Sequence, residues 1–179
     1  MLIGNSIYVV EYQLLSLKLP KTDISAPTID ISESLALAGL LYLHIAIREL
    51  PLRARRYQRL IRCLGNSLPR DRDLSKVVAP DMGLRLLLWT LFIGAIAAVD
   101  SPFRSFFLQS AVEVIVALKI RSYTDLEDSL KSVLWVDRFY SPHCATLWDE
   151  VSLNSRLVEL GIVSMSVAGF EDLELESMT

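Results

Sequence analysis

Cysteine and histidine are scarce in this chain, and each scarcity excludes a class of chemistry. The two cysteines, Cys63 and Cys144, lie far apart in 179 residues and outside any Cys-x-x-Cys spacing, so neither a disulfide framework nor a zinc motif follows. A reducing, intracellular compartment fits that usage. The two histidines are as isolated. His44 stands among Leu40, Leu41 and Ile47 with no second ligand three or four residues away, and reads as a core or core-edge residue. His143 adjoins Cys144, so on a helix the two side chains diverge. The chain has no G-x-S-x-G elbow, no phosphate-cradling glycine loop and no H-E-x-x-H. Sequence reasoning therefore assigns no catalytic, cofactor-binding or metal residues, and no enzyme. Positive charge is not in excess either: 18 Lys and Arg against 21 Asp and Glu leave a formal net charge of -3, which offers no general attraction to a phosphate backbone.

Long hydrophobic runs are missing as well. The longest uncharged stretches, Leu86 to Val99 and Ser34 to Ile47, are fourteen residues each, short of the roughly 20 needed to span a bilayer. The N-terminus, MLIGNSIYVVE, lacks the basic lead of a secretory signal and the arginine-rich pattern of a mitochondrial one. Against these absences, 52% of residues are hydrophobic and 22% charged, enough for one folded domain with a substantial core and a charged surface.

The apolar spacing is helical throughout. Residues from about Ile7 to Leu19 predict a first helix, and the proline-bounded run PKTDISAPTIDI after it reads as a connector. Asp30 and Glu33 have capping-box spacing ahead of a helix from about Ser32 to Leu50. Pro51 restarts a helix whose Leu52, Tyr57, Leu60, Ile61 and Leu64 share one face, ending at Gly65-Asn66. The next, from about Met82 to Val99, has no polar face in its centre and must be surrounded. Ser101-Pro102 has the form of N-cap plus first helical residue, ahead of a stripe of Phe103, Phe107, Ala111, Val114 and Leu118. Thr124 and Glu127 read as another capping box before Leu126, Leu130, Val133 and Leu134. Ser141-Pro142 reads as one more restart, ahead of Leu147, Trp148 and Val151. No alternating strand pattern occurs. The fold class is all-α: an irregular array of about six to seven helices. It divides into an N-terminal helix and connector over 1–31, the helical domain over 32–152, and a flexible acidic tail over 153–179.

Three features invite chemistry, and each has a structural explanation. Asp125, Glu127 and Asp128 occupy a first helical turn, where carboxylates complement the helix dipole. The run from Arg48 to Arg62 holds six arginines, but the periodicity places Arg55, Arg59 and Arg62 on the outward face, which suits solvent or an acidic protein partner. In the tail, Phe170, Leu173, Leu175 and Met178 alternate with Glu171, Asp172, Glu174 and Glu176, a pattern shared by activation segments and plain solvated tails.

Three ordered stretches carry a resemblance: SESLALAGLLYLHIAIRELP, LRLLLWTLFIGAIAAVDSPFRSFFL and SYTDLEDSLKSVLWVDRFYSPHCATLWDEV. Together they resemble the C-terminal regulatory region of fungal zinc-cluster transcription factors and related fungal transcription-factor-like proteins, over roughly Val10 to Val151. The resemblance implies a helical regulatory domain in the nucleus, with the cytoplasm as alternative, and no catalytic residues. It implies action through co-regulator proteins or a small-molecule effector, compatible with a homodimer. Members of that family read DNA through a six-cysteine, two-zinc module, which two cysteines cannot form. The chain is thus expected to correspond to the C-terminal half of such a factor, without sequence-specific DNA binding of its own. Trp89, Phe92, Phe103, Phe106, Phe107, Trp135 and Trp148 are expected in its core. The rival readings are a small-molecule-sensing helical domain and a membrane-associated helical protein.

Overall fold

The computed structural model of the protein describes residues 31–46, 55–68 and 80–159. Six helices and no strand occur among the described residues: α1 (Ser32–Ala46), α2 (Arg55–Ser67), α3 (Pro80–Ala97), α4 (Phe103–Ala117), α5 (Tyr123–Lys131) and α6 (Asp137–Glu159). The expected helix over 7–19, its connector and the Asp30 cap lie outside the described residues. So do residues 160–179 of the expected tail, whereas its first residues continue α6 as far as Glu159.

The array is organised by α3. Every residue from Leu87 to Ala98 is buried, and the helix packs against each of the other five. An α-helix with no polar face is stable in water only when neighbours cover its whole circumference, and α1, α2, α4, α5 and α6 do so here. Thr90, a polar residue inside this stretch, donates its hydroxyl proton to the Leu86 carbonyl at 2.8 Å, so its burial leaves no unmet bond. None of the described helices is long and apolar enough to cross a membrane.

Two glycines set how closely the helices approach. A Cβ on Gly94 of α3 would lie 3.0 Å from Phe107 of α4 and 3.1 Å from Leu64 of α2. A Cβ on Gly65 of α2 would lie 2.5 Å from the Phe103 ring, one turn before Phe107. The expected stop at Gly65-Asn66 is therefore corrected: α2 continues to Ser67, and Gly65 serves close approach rather than termination. The end of α2 is closed by Ser34 of α1, whose buried hydroxyl donates to the Ser67 carbonyl at 3.1 Å.

Three other boundaries differ from expectation. The capping box of α5 is formed by Ser122 and Asp125, not Thr124 and Glu127. Ser122 has the extended backbone that an N-cap requires (φ -130°, ψ 159°), and Thr124 already lies inside the helix. Pro142 does not start a helix but lies inside α6, sixth from its beginning. Its missing N–H costs one ladder bond to the Arg138 carbonyl, and Arg138 is exposed, where water can replace that bond. The start of α4 is shifted by one residue: Phe103 opens the helix, and Pro102 rather than Ser101 holds the N-cap position, without a side-chain cap bond. After Ser101, the Phe103 N–H donates to the Ser101 hydroxyl at 3.3 Å.

The end of α4 is a Schellman turn. The Lys119 N–H donates to the Val116 carbonyl and the Ile120 N–H to the Ile115 carbonyl, both at 3.1 Å. Lys119 thereby takes a left-handed conformation, φ 56°, that glycine adopts without strain. Lys119→Gly is expected to stabilise the protein by about 1 kcal/mol, read as a rise in the thermal midpoint. A lowered midpoint would contradict the reading of this turn.

Candidate functional site

The aromatic and polar side chains converge where α1, α3 and the α5–α6 corner meet. Tyr42 of α1 stacks on Tyr140 of α6, ring centroids 5.0 Å apart and 12° from parallel, and lies 5.7 Å from Trp89 of α3. Trp135, in the corner, completes the cluster at 5.1 Å from Tyr140. Three of the four rings have their polar tips engaged. Tyr140 donates its phenolic proton to the Tyr42 carbonyl at 3.0 Å, and the Trp89 indole N–H donates to the Leu134 carbonyl. The Trp135 indole N–H donates to the Ser141 hydroxyl at 3.4 Å, and Ser141 donates in turn to Asp137 Oδ1 at 3.2 Å. Lys131 Nζ closes the corner from outside, 3.1 Å from Asp137 and 3.2 Å from Glu127. Burial raises the Tyr140 and Tyr42 phenols above their ordinary values, so both stay protonated.

Cys144 lies one turn along α6 from Tyr140 and is fully buried. Desolvation, helped by the Glu127 carboxylate, pushes its thiol up to about 12. Burial disfavours the thiolate, the form that acts as nucleophile and metal ligand. His143, its neighbour in sequence, is exposed, as divergence on a helix demands. His44 of α1 faces the Tyr57 ring of α2 at 6.2 Å, and Cys63 is exposed on α2. The four residues are thus distributed over three helices. Among the described residues no three His, Cys, Asp or Glu side chains are grouped as a metal site.

The acidic cluster of α5 divides into separate structural duties. Asp125 accepts the Ser122 N–H at 3.1 Å, and hydrogen bonds from the Ser122 side chain and the Arg121 and Ser122 backbone hold its carboxyl below the usual range. Glu127 pairs with Lys131, and Asp128 is exposed. On α2, Arg59 and Arg62 are exposed, on the side opposite buried Tyr57, Ile61 and Leu64. The Arg55 side chain, and all of Arg48, lie outside the described residues. Of the expected core aromatics, Trp89, Phe92 and Phe107 are buried, while Phe103, Phe106, Trp135 and Trp148 are half-buried against the core.

Sequence reasoning missed Tyr42 and Tyr140 as the central pair, and it missed Arg104. The signal for Tyr140 was present: Tyr140, Cys144, Leu147 and Val151 are spaced by four, three and four residues and are all buried. Reading Pro142 as a helix start divided that stripe. Arg104 of α4 donates to the Ala95 carbonyl near the end of α3 at 3.0 Å and to Glu150 of α6 at 2.8 Å. One guanidinium therefore caps the negative end of the central helix and ties it to α6.

These observations define a class: an all-α domain built around one helix that is enclosed from Leu87 to its end, with the Tyr140, Trp89, Trp135 and Arg104 donors tying helices together. The chain belongs to the fungal specific transcription factor domain family, which matches residues 9–156 and spans all three stretches that carried the resemblance. That membership gives the protein a role in transcription regulation. No curated protein and no solved structure matches the chain significantly.

Proposed function

We propose that the chain is a regulatory module that acts in the nucleus through co-regulator proteins or an effector, without catalysis and without reading DNA sequence itself. The observation that carries this reading is the family match over 9–156. The internal chemistry is consistent with it: Tyr140, Trp89, Trp135, Asp125 and Arg104 each serve a helix junction or cap, so recognition is left to exposed faces. A net charge of -3 opposes direct duplex binding, which draws most of its affinity from cations placed on phosphates. The exposed Arg59 and Arg62 on α2 form a face suited to an acidic protein partner.

Fusing the chain to an unrelated DNA-binding domain and measuring a reporter tests the proposal. The fusion is expected to change reporter output at least threefold in either direction, and a version ending at Glu159 is expected to retain at least half of that change. Output equal to that of the DNA-binding domain alone would count against a regulatory role. Loss of the whole effect on removing 160–179 would move the activity from the helical array to the acidic segment.

A further inference from the structure

The chain contains two Ser-Pro dipeptides, Ser101-Pro102 and Ser141-Pro142, and no Thr-Pro. Both serines are half-buried, and the fold engages their hydroxyls differently. Ser141 is inside α6, its hydroxyl fixed between the Trp135 indole and the Asp137 carboxylate. A phosphate there would face a like charge at hydrogen-bond range and would displace both contacts. Ser101 stands in the connection between α3 and α4, flanked by exposed Val99, Asp100 and Pro102. Among the described residues its hydroxyl only accepts, from the Phe103 N–H at 3.3 Å. The segment reads Ser101-Pro102-Phe103-Arg104, an acceptor hydroxyl with proline directly after it and a cation three residues on.

We infer that Ser101 is a phosphorylation site for a proline-directed protein kinase, and that the phosphate placed there competes with Glu150 for Arg104. In the transfer, Ser101 Oγ attacks the γ-phosphorus of ATP. The Oγ–P bond forms as the bond to ADP breaks, and the hydroxyl proton passes to the kinase's catalytic carboxylate. The product carries a charge of about -1.5 to -2 at pH 7. The first turn of α4 has no acidic residue to meet its positive end, so an anion just before it is favoured. Asp100, one residue upstream, opposes the phosphate with like charge, and Arg104 is the cation three residues on that can offset both. Arg104 is now divided between the Ala95 carbonyl and Glu150. A doubly charged phosphate on its own segment attracts the guanidinium more strongly than one half-exposed carboxylate does. The link from the α3–α4 corner to α6 then weakens, which converts a surface modification into a looser C-terminal helix.

The test uses the full chain, a purified proline-directed kinase and ATP, with site mapping by tandem mass spectrometry. A peptide of residues 96–108 is run in parallel. Both are expected to be labelled at Ser101, with Ser141 at least tenfold lower in the full chain, and Ser101→Ala is expected to remove most incorporation. Glu150→Gln, which frees Arg104, is expected to raise the labelling rate severalfold. Labelling of the peptide but not the chain would overturn the claim that the fold presents Ser101, and labelling of neither would overturn the motif. Preferential labelling of Ser141 would overturn the contrast between the two sites. Hydrogen exchange reads the consequence: backbone amides around Glu150 are expected to exchange faster after phosphorylation. Unchanged exchange there would refute the competition for Arg104.

Discussion

Tyr140→Ala is expected to cost about 3–5 kcal/mol, the range for emptying a buried aromatic site. The ring is fully buried and touches Tyr42 and Trp135, so its removal strips contacts from α1 and from the α5–α6 corner together. It also withdraws the hydrogen bond to the Tyr42 carbonyl. Tyr140→Phe separates the two contributions. It keeps the ring and loses only the bond, for about 1–2 kcal/mol. Urea denaturation of both variants measures the difference. If Tyr140→Phe proves as costly as Tyr140→Ala, the hydrogen bond rather than the stacked ring dominates. If both are neutral, the cluster does not hold α6 to α1.

Gly94→Val is expected to destabilise by about 3 kcal/mol, at the upper end of overpacking costs, and to lower the thermal midpoint by roughly 10 °C. The β-carbon alone would meet Phe107 and Leu64 at 3.0 and 3.1 Å, and valine adds two methyl groups beyond it. The small helix-propensity gain on replacing glycine, a few tenths of a kcal/mol for valine, does not offset such a clash. The specific signature is coupling. In combination with Phe107→Leu, which trims the side of the junction facing Gly94, the double variant is expected to lose at least 1 kcal/mol less than the sum of the singles. Strict additivity would mean that α3 and α4 do not close on each other at this glycine.

Much of the architecture was legible because α3 is unambiguous: a run from Leu86 to Val99 without charge, too short for a bilayer, must be enclosed by protein, and the other helices carry single apolar stripes that fit around it. Where the sequence misled, one residue type had two physical uses. Glycine at position 65 can end a helix or admit a ring, and only the presence of Phe103 from α4 decides between them. Proline at 142 can open a helix or be tolerated inside one, and the exposed Arg138 carbonyl end decides that. The N-cap of α5 depended on which of two neighbouring hydroxyl residues, Ser122 or Thr124, takes the extended backbone.

The candidate site was less legible than the fold. The tryptophans were recognisable as core residues, but the partners of their indole N–H groups are a backbone carbonyl at Leu134 and a serine at 141, which no spacing rule predicts. Arg104 joins residues nine positions before it and forty-six after it. Such a residue looks like an ordinary surface arginine until three helices are assembled around it. The family resemblance could be read directly from the sequence, whereas the use of Tyr140, Trp89, Trp135 and Arg104 at helix junctions could be seen only in the structure.

The central claim is that regulation depends on the folded helical array. The most direct measurement compares reporter output from two DNA-binding-domain fusions at matched abundance, one carrying the natural chain and the other Gly94→Val. The account predicts that the natural chain changes output at least threefold and that Gly94→Val, whose clash falls among α2, α3 and α4, loses most of that change at a temperature above its own midpoint and below that of the natural chain. Equal output from the two fusions would contradict it.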